Sequence, residues 1–178
     1  MAQLVWDPNK DAQAILADYY QRGFGPAAGP VREYYEALEK ARMAFTAKNL
    51  DGGVFLFPEL YTPELLRESQ GRLDRAAAAV PAGSVYQRRV AFVQVGLDYT
   101  RLIMENVTLM GRYWKKKDES VAKQVRDNWA AIDKLINTTP YAINVGPVRP
   151  ITPRMAGLHP DYPPAKVKKA RAVDLDLN

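Results

Sequence analysis

Apolar residues recur at three- and four-residue steps through most of the first 139 positions, and beyond Pro140 that period is lost. Steps of this size place side chains on one face of an α-helix, so the pattern predicts helices rather than strands. Asp7 suits a cap and Pro8 a first helical position, with Ile15, Leu16 and Tyr19 following at helical spacing until a stop near Gly23. Pro26 or Pro30 opens a second helix through Val31, Tyr34, Tyr35, Leu38 and Phe45. Asn49 to Gly53 reads as a turn, and VFLFPELY after it as a short apolar connector. Thr62 followed by Pro63 repeats the cap-plus-proline signal and begins a third helix carrying Leu65, Leu66, Leu73, Ala76, Ala77 and Val80.

The fourth helix has the longest pattern. Tyr86, Val90, Val93, Leu97, Thr100, Met104, Val107, Gly111 and Trp114 alternate steps of four and three, and Phe92, Val95, Tyr99, Leu102, Asn106, Leu109 and Tyr113 form a second stripe. A helix apolar on two sides is central, with neighbours packed on both. Lys115 to Lys117 close it, and Asp118 or Ser120 caps a fifth helix with Val121, Val125, Trp129, Ile132 and Ile136. The predicted fold is therefore all-α: an antiparallel, bundle-like array of about five helices around a long fourth one. Residues 1–139 form the helical domain and 140–178 a proline-rich, mostly irregular tail. Seven of the thirteen prolines fall between Pro140 and Pro164, so the tail is either extended across the body or disordered. Ile143, Val145, Val148 and Ile151 alternate enough to allow one short strand.

Composition narrows the chemistry. A chain of 178 residues that is 47% hydrophobic can bury a substantial core. The formal charge of +5 is mild and spread out, and does not mark a nucleic-acid binder. Among its few short basic clusters, Lys115 to Lys117 read as a solvated helix end and the KVKKARAV segment as a weak nucleic-acid candidate. With no cysteine and a single histidine, His159, neither disulfides nor a Cys- or His-based metal centre is expected, and no cofactor is implied. No apolar run reaches the roughly 18 residues of a membrane span, and the first residues lack the regions of a signal peptide.

Several motifs have a functional and a plain reading. Gly23, Gly25 and Gly29 superficially match a dinucleotide loop, but that fingerprint needs a preceding strand, and here a helix precedes it. The plain reading is a helix–helix corner. Glu33 with Glu36, and Asp118 with Glu119, read as solvated charges rather than as a catalytic pair. Most of the ten tyrosines sit at core spacing, leaving Tyr61, Tyr141 and Tyr162 freer to contact a partner. Asn106-Val107-Thr108 and Asn137-Thr138-Thr139 match the glycosylation pattern; for the first, mid-helix, chance is the simpler explanation.

The stretch LVWDPNKDAQAILADYYQRGFGPAAGPVREYYEAL resembles a segment of a large family of bacterial glycosidase-like proteins. These carry a domain of unknown function related to the hexosaminidase and α-glucuronidase barrels. The resemblance rests on Trp6, Asp7, Pro8 and Asp11, then Gly25, Pro26, Ala27 and Ala28, then Tyr34, Tyr35 and Leu38. Phe24 stands where the family usually has tyrosine. FPELYTPELL and RRVAFVQVGLDYTRL also look like its helical C-terminal region, so the likeness spans roughly residues 4 to 110. It implies that catalytic carboxylates belong to a barrel preceding this segment, so no catalytic, cofactor or metal residue is assigned here.

By this resemblance the chain is a non-catalytic C-terminal helical domain of an extracytoplasmic, carbohydrate-active protein. It would support the barrel or mediate association, with carbohydrate bound only through the parent. An exposed apolar patch should then mark the docking face, with Trp6, Phe24 and the VFLF connector as its candidates. The alternative is an independent module that pairs with a second copy through the Val93–Leu97 stripe of the long helix.

Overall fold

The computed structural model describes residues 11–46, 56–139, 141–142 and 158–161, and all regular structure among them is helical. The helices are α1 (Ala12–Phe24), α2 (Ala28–Thr46), the single turn α3 (Phe57–Leu60), α4 (Pro63–Ala79), α5 (Val85–Lys116) and α6 (Glu119–Thr138). The five long helices are those the periodicity predicts. α3 is an addition inside the apolar connector, where Pro58 occupies the first turn. Asp7, Pro8 and Trp6 lie outside the described residues, as do the 49–53 turn, the 143–151 alternation and the KVKKARAV segment. Within the described chain Asp11 caps α1, its carboxylate accepting from the Gln13 amide at 2.8 Å.

Two more caps stand where the sequence places them, Thr62 before α4 and Asp118 before α6, and Ser84 before α5 is a third that it did not single out. Thr62 Oγ1 accepts from the Leu65 amide at 3.2 Å, and Ser84 Oγ from the Gln87 amide at 3.1 Å. Asp118 accepts from both the amide and the hydroxyl of Ser120, bonds that hold its carboxyl below the usual carboxylate range. Each cap satisfies an amide that the helix's own ladder leaves open, which stabilises a helix by about 1 kcal/mol. α5 ends with Lys117 in the left-handed conformation, its ammonium 3.7 Å from the centre of the Trp114 ring.

The α1–α2 corner closes one glycine later than its spacing suggests. Gly23 is helical, and Gly25 caps α1 at φ +51 before a 3-10 turn, Gly25–Ala27, leads into α2. Gly25 is buried with the Tyr86 ring of α5 against it, so close that an added Cβ would stand 2.8 Å from two ring carbons. Across the same junction Arg89 Nη1 donates to the carbonyls of Arg22 (3.2 Å) and Gly23 (2.8 Å). A cation there answers the negative end of the α1 dipole.

α5 is the spine, and its neighbours succeed one another along its length. Val90, Val93 and Leu97 in its first half pack with Phe24, Ala27, Val31 and Tyr34 and with Leu73 and Ala76 of α4. Ile103, Met104, Val107, Leu109 and Met110 in its second half pack with Val121, Val125, Ile132 and Ile136 of α6 and with Leu158. The stripe that would have paired two copies is thus internal core: Val93 and Leu97 are buried inside one chain.

Part of the tail touches the body. Leu158 is fully buried, its carbonyl accepting from Trp129 Nε1 at 2.8 Å. Asp161 takes both arms of Arg126, at 3.0 and 2.9 Å, while Arg126 also reaches Glu119 at 2.6 Å. These bonds hold Asp161 below the usual carboxylate range and raise the Arg126 guanidinium still further. Residues 158–161 therefore latch onto α6.

Candidate functional site

The feature of this molecule that asks for a partner follows from two helix lengths. α5 has 32 residues and the antiparallel α6 has 20, leaving about 12 residues of α5 beyond the reach of α6. At 1.5 Å per residue that is about 18 Å of helix. The second stripe records the change of cover. Leu109 and Asn106 are buried where α6 runs, Leu102, Tyr99 and Val95 are half-buried, and Phe92 is 45% exposed.

An open groove of about 880 Å³ lies there between α1 and the first turns of α5. Its deepest members are Phe24 and Val93, both buried. Around them stand Tyr19, Tyr35, Val85 and Phe92, all substantially exposed, with Leu16 one turn from Tyr19 on α1. The ring centroids of Tyr19 and Phe24 are 6.2 Å apart, and those of Tyr20 and Tyr35 6.4 Å, so a small aromatic cluster braces this side of the corner. Asp18, Arg22, Arg88 and Arg89 supply the charges. Arg22 Nε bonds Asp18 at 2.6 Å and Arg88 Nη1 the Gly83 carbonyl at 3.1 Å, while Arg89 holds the end of α1.

Of the residues expected to form an exposed apolar patch, Trp6, Val54 and Phe55 lie outside the described residues, and Phe24 forms the floor of the groove. Phe24 is 5% exposed, because the corner folds its ring beneath Tyr20 and against α5. Of the VFLF connector, Leu56 and Phe57 are described and half-buried, with Phe57 packed on Tyr61. Tyr61 is accordingly tied into the core edge, whereas Tyr19 and Tyr35, given core spacing by the sequence, face outward. Tyr34 is the deeply buried member of its pair, and burial pushes its hydroxyl up to about 12. Tyr141 is exposed as expected, and Tyr162 lies outside the described residues.

The acidic pairs are solvated charges. Glu33 bonds Arg75 across to α4, Glu36 bonds Arg32 at 2.6 Å, Asp118 caps α6 and Glu119 meets Arg126. Two further carboxylates flank a polar network at the α4–α5 seam. There Gln70 and Gln94 exchange amide bonds at 2.9 and 3.1 Å, Asp74 and Asp98 accept from them, and Arg101 donates to Gln70 and to the Leu66 carbonyl. Both acids are engaged as acceptors in a helix-to-helix polar seam. Among the described residues no group of three His, Asp or Glu gathers as a metal site would require.

Asn106 is fully buried and its Oδ1 accepts from Asn128 at 3.1 Å, so its sequon is inaccessible in the folded chain. Asn137, in the other sequon, is exposed on the last turn of α6. His159 is pushed below its ordinary value by burial, consistent with its Nδ1 accepting the Asp161 amide at 3.2 Å. No helix among the described residues is long and apolar enough to cross a membrane.

Sequence reasoning missed Val85, Arg22, Arg88 and Arg89. The available signal was the second stripe, which begins before any later helix is long enough to cover it. Comparison with protein-family models, curated proteins and solved structures finds no match for this chain.

Proposed function

We propose that the chain is the non-catalytic C-terminal helical domain of a carbohydrate-active, glycoside hydrolase-like protein, and that it supports that protein's catalytic barrel. The resemblance in the α1–α2 corner suggests the parent. One observation favours docking as the role: Tyr19, Tyr35, Val85 and Phe92 remain exposed together around one groove where α5 outruns α6. Large apolar side chains clustered in this way commonly mark a surface covered in the assembled protein. Covering each half-exposed side chain would contribute about 1 kcal/mol, so four of them make a useful anchor.

The chemistry is assigned to the barrel, as the resemblance implies, and the acidic pairs described above serve as caps and ion pairs, with Asp74 and Asp98 as seam acceptors. Incubation of the purified chain with a panel of aryl glycosides should release no aryl alcohol above the buffer rate. Turnover that survives repurification and vanishes on replacing one carboxylate of this chain would refute the reading.

A further inference from the structure

Resting on that docking reading, we infer that the surface seated in the α1–α5 groove is acidic in character, carboxylates flanking apolar side chains, and is not a second copy of this chain. The apolar residues explain why something covers the groove, and the charges select what does. Three arginines, Arg22, Arg88 and Arg89, stand against one aspartate, Asp18. All three are exposed, and their bonds to Asp18 and to the carbonyls of Gly83, Arg22 and Gly23 occupy one nitrogen of each guanidinium. A guanidinium carries five N–H donors in a planar fork, so each retains donors suited to a carboxylate.

Symmetry rules against self-pairing. An isologous contact sets the same patch against itself, and here would bring two arginine-rich surfaces together. Like charges opposed at an interface are a strong selector against a partner. A nucleic-acid backbone would satisfy the arginines, but its phosphates would leave Tyr19, Val85 and Phe92 uncovered. A segment with Leu- or Phe-type side chains bordered by Asp or Glu satisfies both halves of the groove.

The probe is a fluorescein-labelled amphipathic peptide of about 14 residues, with leucines at helical spacing and glutamates between them. A second peptide carries lysine at every glutamate. Fluorescence anisotropy with the full chain at low salt should show the glutamate peptide binding at least about tenfold tighter than the lysine peptide. Its affinity should fall as salt rises. Arg88→Glu and Arg22→Glu should each weaken it by about fivefold while leaving far-ultraviolet circular dichroism unchanged, and Phe92→Asp should do the same through the apolar half.

Equal binding of the two peptides, or none by either, would overturn the inference. So would a single-stranded oligonucleotide that outcompetes the glutamate peptide, or a chain dimer by sedimentation equilibrium that Phe92→Asp dissociates. Glycoside turnover by the chain would instead remove the proposed function while leaving these peptide measurements intact.

Discussion

Replacing Gly25 by alanine tests the corner on which the groove is built. The residue sits at φ +51, ψ −119, backbone space that L-residues rarely enter, and the strain of holding alanine there is about 1–2 kcal/mol. The new Cβ would also meet Tyr86 ring carbons at 2.8 Å. That ring is the far end of a half-buried side chain and can turn aside, at a further cost of about 1 kcal/mol for an off-rotamer position. The expected loss is therefore about 2–3 kcal/mol, or about 4–12 °C in Tm for a domain of this size. Gly23→Ala is the internal control: that glycine is helical with nothing within 4 Å of an added Cβ, so alanine should stabilise by about 0.5–1 kcal/mol. Urea and thermal unfolding followed at 222 nm measure both. In the Gly25→Ala/Tyr86→Ala double variant, measured against Tyr86→Ala alone, the backbone share should persist and the steric share disappear. If Gly25→Ala is as harmless as Gly23→Ala, the account of the corner is wrong.

The two faces of α5 should respond oppositely to the same substitution. Leu97→Asp buries an unpaired carboxylate and should cost about 3–5 kcal/mol, whereas Phe92→Asp should change stability by under about 1 kcal/mol; chemical denaturation checks both, and equal effects would refute the assignment of faces. The latch should weaken on acidification in two stages. His159 has its folded pKa lowered, so the unfolded chain binds the extra proton and stability falls as pH drops from about 6.5 through the folded value. Asp161, also depressed in the fold, adds a second loss as pH falls from about 3.9 through its own folded value. An NMR titration placing the His159 midpoint at or above the ordinary histidine value would contradict the first stage.

Much of this architecture was legible because its causes are local. A threonine before Pro63 and an aspartate before Glu119 each satisfy amides within three residues of themselves. The apolar period of α5 reflects only which residues share a face, and α5 is indeed central. The α1–α2 corner was legible in kind, although Gly25 rather than Gly23 adopts the positive φ. The Tyr86 ring that leaves Gly25 no room for a Cβ comes from some sixty positions away, a contact the local pattern does not carry.

The site was less legible for the same reason. Whether an apolar residue is core or interface depends on what covers it, and cover is a property of pairs of helices. Tyr19 and Tyr20 are adjacent and alike, yet Tyr19 is left in the open while Tyr20 packs against the core. Phe92 and Leu109 belong to one stripe, but only Leu109 lies alongside α6. Arg89 reaches the carbonyl of Gly23 from 66 residues away, and Trp129 holds the carbonyl of Leu158 from 29. The sequence by itself determined where helices start, stop and carry apolar faces, because those depend on hydrogen bonds and spacing between near neighbours. Only the tertiary structure decided which face goes uncovered, because a helix of 20 residues must be laid against one of 32 before the shortfall exists.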